Sequence, residues 1–128
     1  MKIEHMAIWT VELDRLRLFY ETYFGATSSA RYVNAAKQFE SYFLSFPEGA
    51  RLEIMHSPRI HEREQGDLPW TGYGHLAFAV GSREQVDALT SRLQNDGYPL
   101  LDGPRVTGDG YYESLFLDPD GNRIEITG

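Results

Sequence analysis

The sequence contains no cysteine, which excludes disulfide bonds, thiolate metal sites and cysteine nucleophiles. It also lacks an apolar run long enough to span a bilayer, and its N-terminus has no positively charged segment followed by an apolar one. The basic excess of nucleic-acid-binding proteins is missing too, because the net charge is −7 at pH 7. We therefore expect a cytoplasmic protein that binds neither membranes nor nucleic acid.

The chain is long enough to form a stable core without covalent cross-links. Its 128 residues suit a single domain, which can bury roughly two-thirds of the surface of the unfolded chain. Aromatic residues make up 13% of the chain. They fit an ordinary core, and they also fit a lined cavity or a subunit interface.

The two halves of the chain repeat one pattern. Glu4–Ile8 and Gly74–Phe78 each alternate a His and an Ala with two large apolar residues, so the His and the Ala share one face of a strand. Further along, Arg51–Ile54 is matched by Arg123–Ile126, each with a Glu between two branched apolar residues. The histidines are 70 positions apart and the glutamates 72. We infer an internal duplication in which each half carries one His early and one Glu late.

Each half is predicted to fold as a strand, a helix and three further strands, which makes the fold class α+β. Residues 1–56 form module one, residues 73–128 form module two, and residues 57–72 form an irregular linker that we expect to be a mobile flap. In module one the stretch 27–33 is predicted to be a single strand. The two βαβββ modules would form curved mixed sheets with helices on one face and a concave cup on the other.

Local signals place the ends of the two helices. Apolar residues at helical spacing predict a first helix over residues 16–24, with Asp14 as its N-cap and Gly25 in a left-handed conformation at its end. In the second half, Ser82 followed by Gln85 forms a capping box that begins the second helix.

The concave face is predicted to carry four possible ligands, which are His5, Glu53, His75 and Glu125. Two carboxylates brought together without a cation would repel, and one of them would have to take up a proton. Around a divalent ion, two carboxylates and two imidazoles supply two negative charges and two neutral nitrogens. Nitrogen and oxygen ligands without sulfur suit Ni, Zn, Co, Mn or Fe, and affinity alone does not choose among these metals. The alternative is that this polar face only meets solvent.

The chain resembles the vicinal oxygen chelate superfamily, the glyoxalase / bleomycin resistance protein / dioxygenase group, over essentially its whole length. The residues that carry the resemblance are the first strand with His5, the helix motif 18–20 running to Phe24-Gly25-Ala26, the strand 74–78 and the ending 118–125. The resemblance implies metal ligands at His5, Glu53, His75 and Glu125, as in glyoxalase I. It also implies a homodimer with the site between subunits, where the first module of one chain faces the second module of the other.

The resemblance further implies a lyase that isomerises a substrate with two neighbouring oxygens, such as the hemithioacetal of methylglyoxal and a thiol. The ion, acting as a Lewis acid, would stabilise an enediolate, and Glu125 or Glu53 would move the proton from one carbon to the next. Glutathione as the thiol would need cations for its carboxylates. The candidates are Arg31, Arg51, Arg59, Arg63 and Arg105, and their spacing singles out none of them.

Several other functions fit the same frame. An extradiol dioxygenase uses two His and one carboxylate on Fe(II), and the additional Glu53 argues against it. The same residue argues, more weakly, against an antibiotic-modifying thiol transferase with a three-ligand site. An epimerase that acts beside a thioester carbonyl would need nearly this same site. A metal-free protein that sequesters a drug is an alternative of another class, and such a protein has no use for four ligands.

Overall fold

A computed structural model of the chain describes residues 1–61 and 71–128. The chain divides into two units, Met1–Glu64 and Gln65–Gly128, and the division falls inside the predicted linker 57–72. The part of the predicted flap between positions 62 and 70 lies outside the described residues. In the part of the chain that is described, each unit has one helix and one mixed sheet.

The first unit contains five strands and one helix in its described part. The elements are β1 (His5–Trp9), α1 (Leu13–Phe24), β2 (Thr27–Ser28), β3 (Tyr32–Asn34), β4 (Phe39–Ser45) and β5 (Arg51–His56). The strand order is β1-β5-β4-β2, and β3 also pairs with β4. β1 runs parallel to β5, whereas the other pairings are antiparallel.

The predicted single strand 27–33 is two short strands, β2 and β3. The chain through β2 and β3 advances four residues, from Ser28 to Tyr32. Over the same distance the opposite strand, β4, advances only three, from Leu44 to Ser41. The additional residue is a bulge that interrupts the pairing with β4. Module one therefore has one more strand than predicted, although the course of the chain is the same.

The second unit repeats the plan of the first. Its elements are β6 (Leu76–Ala79), α2 (Arg83–Asn95), β7 (Leu100–Val106), β8 (Tyr112–Leu117) and β9 (Arg123–Thr127). The strand order is β6-β9-β8-β7, with β6 parallel to β9 and the other pairs antiparallel. The predicted α+β fold of two repeated modules is confirmed.

The helix ends follow the local signals with one exception. α1 begins at Leu13 with Glu12 at the N-cap, so the prediction of Asp14 as N-cap is wrong. Asp14 lies in the first turn, where a carboxylate is stabilised by the positive end of the helix. Gly25 has φ 64° and ends the helix in the left-handed conformation, as predicted. The Ser82 side chain accepts a hydrogen bond from the Gln85 backbone N–H at 3.3 Å, as predicted. No helix within residues 1–61 and 71–128 is both long and apolar enough to cross a membrane.

In each unit the helix and one face of the sheet share a core. The core residues of the first unit include Leu16, Phe19 and Tyr20 of α1 with Leu44, Leu52 and Ile54 of the sheet. Those of the second include Val86 and Leu93 of α2 with Phe116, Ile124 and Ile126. Because side chains alternate along a strand, the residues between these positions lie on the face directed away from the helix. That outward face of each sheet is called its polar face below.

Candidate metal centre

The polar face of the first sheet brings His5 and Glu53 together. Glu53 lies there because its neighbours Leu52 and Ile54 are buried beneath α1. β1 runs beside β5 so that Ala7 pairs with Glu53. His5 Nε2 is 3.8 Å from Glu53 Oε2, and the two side chains are 39% and 15% exposed. His5 and Glu53 therefore lie side by side within one unit.

The ring of His5 is oriented by its own surroundings. Its Nδ1 donates a hydrogen bond to the Glu4 carboxylate, which only accepts, and its Nε2 is directed towards Glu53. The hydrogen bond with His5, followed by that with Arg51, lowers the pKa of Glu4, and Arg51 Nε donates to Glu4 Oε1 at 2.8 Å. The edge of the His5 ring also contacts Phe43, with 5.3 Å between ring centroids. A His that donates to a carboxylate through one nitrogen and offers the other is the usual arrangement of a metal ligand.

The second sheet forms an equivalent pair. His75 immediately precedes β6, and Glu125 lies on β9 between the fully buried Ile124 and Ile126. The parallel pairing of β6 with β9 sets Ala77 opposite Glu125. His75 Nε2 lies 3.1 Å from Glu125 Oε2, within hydrogen-bonding distance, and the side chains are 46% and 20% exposed. Ala77, two residues after His75 and opposite Glu125 in the ladder, is small and exposed.

The structure forms one His–Glu pair in each unit. Within residues 1–61 and 71–128, no group of three or more His, Asp or Glu side chains is positioned to hold a metal ion. Each pair could supply two of the six ligands of an octahedral site, because it offers one imidazole nitrogen and one carboxylate that are both accessible from solvent. That the two pairs share one ion stays a prediction.

A further carboxylate, Glu113, lies on the polar face of the second sheet, and the sequence analysis missed it. Glu113 of β8 pairs with Thr127, two residues along the ladder from the pairing of Leu115 with Glu125, so it is a diagonal neighbour of Glu125 on the same face. Its side chain is 14% exposed. Burial, and then the charge of Glu125, raises the pKa of Glu113. The sequence signal that could have revealed it is the alternation along β8, because Phe116 faces the core and Glu113, three residues earlier, therefore faces the opposite side.

Most of the arginines considered for an anionic thiol already have acidic partners. Arg31 donates to Glu40 at 2.6 Å, and Arg105 Nε donates to Asp102 Oδ2 at 2.5 Å. Arg51 is held by Glu4, as described above, and Arg63 lies outside the described residues. None of the three paired arginines is left free to bind an anion.

Comparisons with known proteins agree with this architecture. The family model described as Glyoxalase/Bleomycin resistance protein/Dioxygenase superfamily matches residues 2–126. A lactoylglutathione lyase of Haemophilus influenzae is 26% identical over 133 residues, covering 98% of this chain and 91% of that protein. The uncharacterized protein YqjT of Bacillus subtilis is 40% identical over 58 residues, which cover 43% of this chain and 45% of that protein.

Solved structures include similar folds. The trypanothione-dependent glyoxalase I of Leishmania major superposes with a TM-score of 0.80 at 21% identity, covering 100% of this chain and 86% of that one. At this level of identity the likeness concerns the fold alone.

Proposed function

The chain belongs to the Glyoxalase/Bleomycin resistance protein/Dioxygenase superfamily, and on that premise we propose that it is a glyoxalase I-like metal-dependent lyase. The observation that carries the proposal is the repeated pair of His and Glu on a polar sheet face. His5 Nε2 and Glu53 Oε2, the two possible ligand atoms of the first pair, are 3.8 Å apart. The corresponding atoms of the second pair, His75 Nε2 and Glu125 Oε2, are 3.1 Å apart. A metal-free drug-binding protein would have no need of either pair. The similarity to a lactoylglutathione lyase along nearly the whole chain also favours this activity.

The proposed metal site uses all four side chains. Members of the superfamily generally use divalent metals, and this donor set accepts Ni, Zn, Co, Mn or Fe. We place the site between two copies of the chain in a homodimer. The pair His5–Glu53 of one chain would then act with the pair His75–Glu125 of the other.

The proposed substrate has two neighbouring oxygens, such as the hemithioacetal of methylglyoxal and a thiol. When bound, a divalent ion supplies a Lewis acid that stabilises the negative charge developing on the substrate oxygens. The chain's own carboxylates handle the proton. Glu125 or Glu53 accepts the proton from the carbon that carries sulfur and oxygen and returns it to the neighbouring carbon, while the hydroxyl proton passes from the first substrate oxygen to the second. Ala7 and Ala77, which pair with Glu53 and Glu125 in the ladders, leave room for the substrate beside each carboxylate.

Metal analysis tests the ligand set. Protein purified without chelators is expected to carry about one divalent ion per chain. Replacing His75→Ala or Glu125→Gln is expected to weaken metal binding about 10- to 100-fold or more, because even changes to residues behind the ligands have effects of this size. Glu48→Gln, in the exposed turn before β5, is the matched control and should keep full metal content. Full metal content in the Glu125→Gln protein would mean that the ligand set is wrong.

Mixing two inactive variants tests where the site is built. If the site lies between subunits, His5→Ala and His75→Ala chains each lose both sites of their own homodimer. A heterodimer of the two keeps one intact site, and random exchange should restore about one quarter of the sites. A site within one chain would show no restoration.

Turnover tests the reaction itself. Metal-reconstituted protein is incubated with methylglyoxal and each of several thiols, and formation of the thioester product is measured. We expect turnover with at least one thiol that the Glu125→Gln variant loses. Metal binding without turnover on any thiol would favour an epimerase that acts beside a thioester carbonyl.

A further inference from the structure

The two modules differ in the charge beside their glutamates. In module one, Arg51 lies two residues before Glu53, and its guanidinium is held by Glu4 with 2.8 Å between Nε and Oε1. Arg123 stands at the equivalent place of module two, but the residue that corresponds to Glu4 is Gly74. Among the residues that the structure describes, no carboxylate forms an ion pair with Arg123. Module two therefore has the arginine of module one without the carboxylate that binds it.

Arg123 is exposed and lies on the polar face next to the His75–Glu125 pair. It shares this face with Glu125 because Ile124 between them is fully buried and side chains alternate along a strand. On one side Arg123 pairs with Leu117 of β8. On the other side the ladder with β6 starts at the pair of Leu76 and Ile124, and His75 is the residue that precedes Leu76.

The other arginine on this side of the second sheet has its charge neutralised already. Arg105 donates to Asp102 at 2.5 Å and has Glu113 at 4.0 Å. Arg123 has no such partner in the described residues. A guanidinium presents its N–H groups as a planar fork that matches the two oxygens of a carboxylate. The polar face therefore offers an unused recognition group directly beside the proposed ligands.

We propose that Arg123 binds a carboxylate carried by the same molecule whose neighbouring oxygens bind at the His–Glu site. This inference rests on the proposed function and narrows its substrate class to acids. Residues two apart on one strand face are about 7 Å apart, so a short carbon chain separates the carboxylate from the two oxygens. Arg123 is thus a specificity-determining residue with no part in the proton transfer.

Two matched chelators test the inference by binding, without turnover. Acetohydroxamate presents two neighbouring oxygens, and succinyl monohydroxamate presents the same two oxygens with a carboxylate on a short chain. Metal-loaded protein is titrated with each by calorimetry. We expect the carboxylated probe to bind about 5-fold more tightly, since an exposed guanidinium–carboxylate pair contributes modestly and a bidentate one more.

Variants of Arg123 test whether this residue causes the preference for the carboxylated probe. Arg123→Gln is expected to abolish the preference and leave the affinity for acetohydroxamate unchanged, whereas Arg123→Lys should keep part of it. Lys37→Gln, which removes an exposed positive charge in the other unit, is the control and should keep all of it. Equal binding of both probes by the unsubstituted protein, or a preference that survives Arg123→Gln, overturns the inference.

Failure of the proposed function would look different. In that case the protein would take up no divalent ion and neither probe would bind, and the inference about Arg123 would fall with the site. Metal content and thermal midpoint are therefore measured for every variant before titration. Loss of preference in a variant that keeps both values supports a role in recognition.

Discussion

Replacing Asp118 with alanine is expected to destabilise module two, because this side chain organises the turn between β8 and β9. Asp118 is 4% exposed, and its Oδ1 accepts hydrogen bonds from the backbone N–H groups of Asp120 at 2.9 Å and Asn122 at 2.8 Å. Its Oδ2 accepts a third from the Asn122 side chain at 2.8 Å. Asp118→Ala removes both acceptor oxygens, and with them all three hydrogen bonds, and leaves the three donors without their partner.

The magnitude follows from these contacts. A hydrogen bond to a charged group contributes about 1.5–3 kcal/mol, but part of this turn can bind water in the variant, so we expect a loss of about 2–4 kcal/mol. For a chain of this length that lowers the thermal midpoint by about 6–15 °C. Asp118→Asn is the matched control. It keeps an oxygen for the two backbone donors and loses the acceptor for the Asn122 amide, so the expected loss is about 1–2 kcal/mol.

The same turn sets which face Glu125 occupies. A slip of one residue between β8 and β9 would move Glu125 to the core face, since side chains alternate with a period of two. Urea unfolding and thermal unfolding of the two variants measure stability, and metal content measures the placement of Glu125. A change below about 0.5 kcal/mol in Asp118→Ala, the level of an ordinary surface substitution, or equal losses in both variants, would refute this reasoning.

Two further predictions concern caps and charge. Ser82→Ala should lower the free energy of unfolding by about 1 kcal/mol. Glu12→Ser, at an N-cap without a side-chain hydrogen bond, should raise it by a similar or smaller amount. Urea unfolding measures both changes, and changes of the same sign would contradict the prediction. Burial raises the pKa of Glu113 in the folded state, so its ionised form is disfavoured on folding, and stability is lost as pH rises through that pKa. Glu113→Gln should therefore raise the thermal midpoint at pH 7 and not at pH 4, and equal gains at both would contradict this.

Local pattern by itself determined much of this protein. The alternation of Leu52 and Ile54 around Glu53, and of Ile124 and Ile126 around Glu125, already required both carboxylates to face away from a core. Gly25 and Ser82 marked helix ends because each end depends on one residue. A glycine readily takes the left-handed conformation that ends a helix, and a serine side chain accepts a hydrogen bond from a free N–H group at a helix start. The resemblance to the superfamily, now supported by the match over residues 2–126, was visible in the same way.

Tertiary structure decided what depends on pairing between distant strands. The contact of His75 with Glu125 follows from the parallel alignment of β6 with β9, which no local period specifies. The same holds for Glu113, which becomes a neighbour of Glu125 through the register of β8 and β9.

The missing counter-ion of Arg123 could be recognised only once the structure had shown Glu4 bound to Arg51 in the other module. Even the break between β2 and β3 arises from a mismatch with β4. The spacing of apolar residues sets which face a side chain takes, whereas its partners are set by where the sheet brings remote segments together.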